Sequence, residues 1–359
     1  MRKHYIDNLR SLVILLLIPY HAAQAWNTWG EPNYMMFGTS RALSSIIVAF
    51  SPFIMPLLFL LAGMSTRFAL SKRTAGQYIL ERVKRLLVPL IFGTVAFVPV
   101  MAYFADKYNF GYSGSFLAHY KIFFTTLTDF TGADGAFSFG QFWFLLYLFV
   151  ISLFCLGIIL LQKRLLPKAD GNAPLWLVLL LGLPLPFISG LLEIGGKSFV
   201  AYAYLFLLGY YVFANDEVID RLSRFRFIFL AIGLISGIAN VYMFIWSGIS
   251  FGFINNAANY MTQWFMILAL LGIGREHLNT GGRLSKYASQ RSFAFFSLHF
   301  IFVVVMQYLF AGLLQNNTFL LYLLPVIASY ILTVLLSEVF VRLTPLSFLI
   351  GVRRVTKNN

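Results

Sequence analysis

The stretch LRSLVILLLIPYHAAQAWN, Leu9–Asn27, decides how this chain is read. It is apolar over about the length that crosses a ~30 Å hydrocarbon layer as a helix. Yet it carries a guanidinium at Arg10 and an imidazole at His21. At 1.5 Å of rise per residue, this spacing puts the histidine roughly 16 Å deeper than the arginine, about half of the layer. Arg10 stays at one rim while His21 reaches the middle. An ionisable ring at that depth is costly unless it lines a polar cavity, which makes His21 a functional-site candidate. A packing histidine hydrogen-bonded to a neighbouring span is the alternative reading of the same residue.

The rest of the composition agrees with a membrane span. Of the residues, 59% are hydrophobic and 11% charged, with a mean hydropathy of +0.78, where soluble domains carry about 25% charged residues. One globular core cannot bury that much apolar surface, so the expected fold is an all-α polytopic transmembrane helix bundle. Apolar stretches near twenty residues mark about ten spans, at 9–27, 45–66, 86–104, 141–161, 174–193, 198–213, 226–246, 259–274, 292–313 and 319–341. The sixth and eighth are short.

With a cytoplasmic amino terminus, ten spans return the carboxyl terminus to the same side. Of 27 Lys and Arg residues, 23 then fall on the cytoplasmic side or its rim, leaving Arg41, Lys107, Lys121 and Lys197 outside. Short loops of a multi-pass protein in a cell's inner membrane show this bias. It accounts for the net charge of +14 with the lipid bilayer as partner and no nucleic acid. A cleaved leader ending near Ala23-Gln24-Ala25 would remove both Arg10 and His21. Asp7 and Asn8 interrupt such a leader, and losing the first span would spoil the charge alternation.

The single cysteine, Cys155, excludes an internal disulfide and reads as a small packing residue. No fixed-period repeat and no long hydrophilic stretch appears, so residues 1–359 read as one domain. The longest connection, about 105–140, carries Tyr108, Phe110, Tyr112, Phe116, Tyr120, Phe123, Phe124, Phe130, Phe137 and Phe139. It reads either as an aromatic lid facing a glycan or as an amphipathic segment at the membrane interface.

Further polar residues gather at the membrane's inner side and middle. In Glu81-Arg82-Val83-Lys84-Arg85 the two arginines are three apart and are expected to share a helix face. Two guanidinium forks suit multiply charged phosphates, although inward positive bias and anionic lipid headgroups account for basic residues there as well. His299, seven residues into the ninth span, falls roughly 11 Å deep, near the level of His21. His4, His119 and His277 fall outside the hydrocarbon and are expected to be solvated. Glu338 joins the same cavity or pairs with Arg342, four residues on, and Asp7 pairs with Arg10.

These residues, in order, resemble the acyltransferase type 3 family of integral membrane proteins, in particular its glucan biosynthesis protein C (glucan succinyltransferase) branch. The resemblance is carried by Tyr5-Ile6-Asp7-Asn8-Leu9-Arg10 with His21 following, Phe59-Leu60-Leu61-Ala62-Gly63, Arg82-Val83-Lys84-Arg85-Leu86-Leu87-Val88-Pro89, Gln141-Phe142-Trp143-Phe144-Leu145 and Ser297-Leu298-His299. Where family members often have Ser-Gly, this chain has Ala62-Gly63. Where they have His-Leu-Trp, it has Gln141-Phe142-Trp143, an amide that cannot titrate.

The resemblance implies transfer of an acetyl or succinyl group from cytoplasmic acyl-CoA to a hydroxyl of a glycan or other cell-envelope acceptor. His21 would act as general base or transient acyl carrier, with Arg10 orienting the donor or His21. His299 would act as second proton carrier or as donor to the thioester oxygen. Arg67, Arg82 and Arg85 would hold the CoA phosphates, and Asp7, Gln141, Trp143 and Glu338 would meet the substrate. Acyl-CoA is a donor substrate here and not a bound cofactor, and no metal is expected, because a thioester needs none to be attacked. A proton-coupled transporter or flippase is the rival class, since buried histidines and an arginine also describe such carriers.

Overall fold

The computed structural model describes residues 3–31, 33–130, 136–165, 171–249 and 252–352. Among them, eight helical segments are long and apolar enough to cross a membrane: α1 His4–Trp26, α2 Arg41–Leu70, α3 Ala75–Asn109, then, after a short helix α4 Phe116–Thr125, α5 Gly140–Leu165. Two shorter apolar segments follow, α6 Leu175–Ile188 and α7 Phe199–Phe213, and the last four long ones are α8 Asp216–Trp246, α9 Phe253–His277, α10 Arg283–Leu314 and α11 Thr318–Arg342. The fold is therefore an all-α polytopic bundle, in which ten apolar segments answer to the ten expected spans. The fifth expected span is the one cut short, because Gly182, Pro184 and Pro186 interrupt its hydrogen bonding. The eighth, read as short, extends at both ends.

By internal contacts the chain forms two compact units, each built from separate stretches of sequence. The first comprises Met1–Val13, Val48–Arg82 and Tyr147–Ser289; the second comprises Ile14–Ile47, Val83–Leu146 and Gln290–Asn359. Helix α1 contributes its first half to one and its second half to the other.

In the first unit, glycines set how closely helices approach. A methyl group at Gly63 of α2 would collide with the carbonyl of Phe206 on α7, and one at Gly209 would collide with that of Leu60. Gly63 closes the Phe59–Gly63 motif noted above, so backbone-to-backbone packing gives that motif a physical reason. Helices α8 and α9 pack the same way: a Cβ at Gly272 would lie 2.7 Å from the Leu222 carbonyl. Asn215 caps α8 by accepting from the Glu217 amide, and Arg275 at the end of α9 pairs with Asp220 at 2.8 Å and Asp216 at 3.4 Å. Cys155 is buried, as a packing residue should be.

In the second unit, α10 and α11 pack around Ala294, Leu298, Phe340, Val341 and Ile350. Helix α4 buries His119 and Phe123 and leaves Leu117, Ile122 and Phe124 exposed, the pattern of a segment lying along an interface. The expectation that His119 is solvated does not hold. Its Nε2 lies 2.7 Å from Asp106 Oδ2, and its ring meets the edges of Tyr103 and Tyr112. Asp106 and Tyr103 of α3, with Tyr112 in the connection that follows it, supply the partner and the cover that the sequence position hid.

Candidate functional site

Arg10 belongs to the first unit. Its Nη1 donates to Asp7 Oδ1 at 3.2 Å, the expected pair one turn back, and its Nη2 donates to Ser65 Oγ at 2.8 Å. Ser65 is held in turn by donating to the Leu61 carbonyl at 2.8 Å, so the guanidinium is fixed from two helices. In the same unit Arg82 lies 4.8 Å over the Tyr78 ring with its Nε buried and lacking a partner among the described residues. Arg67 lies 5.1 Å over the Tyr210 ring. Stacked guanidinium planes keep their outward N–H groups directed, which suits an oxyanion.

The α-helical spacing assumed for Arg82 and Arg85 does not run through both residues. Residues Val83–Leu87 form a π-type turn ahead of Pro89, whose missing N–H breaks the α pattern. Arg82 belongs to the first unit and Arg85 to the second.

The second unit holds the histidines. His21 and His299 meet with ring centroids 5.3 Å apart, and His21 stacks on Phe300 at 4.0 Å. The similar depth inferred from spacing is thus matched by contact. His299 Nδ1 faces two main-chain carbonyls, Phe296 at 2.7 Å and Phe295 at 3.2 Å. Carbonyls only accept, so Nδ1 carries the proton and a neutral ring turns a bare Nε2 lone pair inward. That Nε2 and His21 Nδ1 are both buried with no hydrogen-bonding partner among the described residues. A neutral His299 is consequently a proton acceptor, and cannot donate from Nε2 to a thioester oxygen.

Gln141 enters beside them. It is buried, its Nε2 donates to the Ser297 carbonyl at 3.4 Å, and its Oε1 has no partner among the described residues. The group left over is an acceptor. Trp143, two residues along, meets Phe144 edge-on and stands partly buried. Glu338 is engaged by Arg291 Nε and Nη2, the latter at 3.1 Å, and by Arg342 at 3.1 Å. The expected Arg342 pair is present, but the stronger partner is Arg291, so Glu338 ties α10 to α11 rather than opening toward the histidines.

Two supports of His21 were not read from the sequence. Tyr34 sits at φ 63°, a strained value for a side chain of its size, with its carbonyl taken by Asn109 at 2.6 Å and its ring edge-on to Phe300. It props the ring on which His21 stacks. The second is a set of donors to the end of α1: Tyr330 Oη to the Leu15 carbonyl at 2.7 Å, Tyr322 Oη to Pro19 at 3.3 Å and Gln307 Nε2 to Ala22 at 2.9 Å. The signal for the last set is Pro19 inside an apolar helix, which must leave a carbonyl in want of a donor.

A family model described as an acyltransferase domain matches residues 3–341. No curated protein and no solved structure matches the chain.

Proposed function

The chain belongs to the acyltransferase type 3 family, and from that premise we propose that it moves an acyl group from cytoplasmic acyl-CoA to a hydroxyl on a glycan or other envelope acceptor. The observation that carries this reading is the contact between a half-buried His21 and a fully buried His299, in which His21 Nδ1 and His299 Nε2 are both buried with no hydrogen-bonding partner among the described residues. Buried polar atoms are almost always paired, and unpaired ones of this basicity suit a proton that arrives with substrate. The amino terminus and the arginine level of α1 face the cytoplasm, where CoA is found, in keeping with the inward bias of basic residues.

The chemistry is proton transfer coupled to acyl transfer. His21 takes the proton of the acceptor hydroxyl as its oxygen attacks the thioester carbonyl; the carbon–sulfur bond then breaks, and the leaving thiolate recovers a proton from the imidazolium. His299, fixed by its backbone hydrogen bonds beside His21, serves as a second acceptor on the route of that same proton from His21 to the thiolate. Arg10, Arg67 and Arg82 hold phosphates or orient the donor, with Arg85 adding to the basic inner surface, and Asp7 fixes Arg10. Gln141 and Trp143 meet the acceptor. Resemblance to the glucan branch tilts the choice toward acetyl or succinyl as the acyl group.

The test is consumption of thioester by purified protein in liposomes supplied with labelled acetyl-CoA or succinyl-CoA and a glycan acceptor. We expect free CoA to appear in step with labelled acceptor. Passage of label across the bilayer with the thioester intact would instead make the protein a carrier.

A further inference from the structure

We propose that Tyr330 is a positioning residue for His21, acting through the backbone carbonyl that Pro19 leaves without a donor; this rests on His21 being the base of the reaction. In an unbroken helix the amide of residue 19 would donate to the Leu15 carbonyl. Proline has no N–H, and its ring crowds that carbonyl outward. In hydrocarbon, such a carbonyl has no water to turn to, so a side chain must satisfy it. Tyr330 does so, with Oη 2.7 Å from Leu15 O, reaching across from α11. His21 lies two residues beyond the proline, at the start of the turn whose direction the kink sets.

The neighbouring bonds act on the same turn. The carbonyls of Pro19 and Ala22, on either side of Tyr20 and His21, accept from Tyr322 on α11 and Gln307 on α10. Tyr330 differs from these two because its acceptor is the one that the proline itself releases. Pro19 and Tyr330 therefore form one device: the first bends the helix and the second holds the bend, so the imidazole stands against Phe300 and His299 rather than drifting with the helix end.

A double-mutant cycle on the full-length protein tests this, with kcat and KM for acetyl-CoA measured for wild type, Tyr330→Phe, Pro19→Ala and the double variant. Tyr330→Phe keeps the ring and removes the donor. It should lower kcat about tenfold with KM unchanged, because a small displacement of a catalytic group costs rate before binding. In the Pro19→Ala background residue 19 regains its N–H and supplies the Leu15 carbonyl. There Tyr330→Phe should cost less than about twofold, whatever Pro19→Ala costs alone. An equal loss in both backgrounds, or no loss from Tyr330→Phe with Pro19 present, would overturn the assignment.

Hydrogen exchange at the amides of residues 20–23, read on the same four proteins without substrate, separates this proposal from the one beneath it. Faster exchange in Tyr330→Phe alone sustains the clamp even where wild type consumes neither acetyl-CoA nor succinyl-CoA, an outcome that sinks the acyl-transfer reading. Unchanged exchange in that variant removes the clamp.

Discussion

His299 shows how one backbone contact fixes what an imidazole can do. With Nδ1 committed to the carbonyls of Phe296 and Phe295, the inward nitrogen of the neutral ring accepts and does not donate. Asparagine places its amide nitrogen near the position of Nδ1 and has nothing at Nε2. The variant His299→Asn should therefore fold, keep its helix contact and lose about 10²-fold in kcat, the usual scale for removing a proton carrier. Turnover near the wild-type level would make His299 a packing residue. At this scale Arg10, His21 and His299 were legible because ionisable groups are rare in apolar runs. Ser65, Tyr34 and Tyr330 were not, because a hydroxyl or an aromatic ring is ordinary in such runs, and its importance arises only from a partner distant in sequence. Arg291 was masked by its place at the basic rim.

Helix packing decides which elements can bend and which cannot. Gly63 and Gly209 let α2 and α7 meet at the backbone, so a methyl group at either position forces the helices apart. Gly63→Ala should destabilise the protein by about 1–3 kcal/mol, the range for overpacking a tight contact. A lowered unfolding midpoint in detergent would read this out, whereas an unchanged midpoint would show that the interface yields freely. Element positions followed well from apolar length, since lipid demands that backbone groups be paired within a helix. Two departures came where glycine or proline intervenes, since α6 is interrupted and α3 passes through a π-type turn, and a third where a cross-helix partner does, since α4 hides His119 against Asp106. Apolar length registers none of these, because each depends on hydrogen-bond pattern or on a cross-helix partner.

Over the whole molecule, the interleaving of two units is invisible to a reading that moves along the chain, because each unit collects stretches from both halves of the sequence. What survives from the sequence is the division of labour along α1, with Arg10 in the first unit among basic side chains and His21 in the second beside a second imidazole. On the proposed function, that division would serve acyl transfer by holding the phosphates of the donor at one level of α1 and a proton acceptor at another. The most direct test compares wild type and His21→Ala, both purified and shown to retain equal helicity and insertion, for transfer of label from acetyl-CoA to a glycan acceptor. Transfer by wild type and its loss to background in His21→Ala is the expected result; wild-type turnover in that variant would contradict the account.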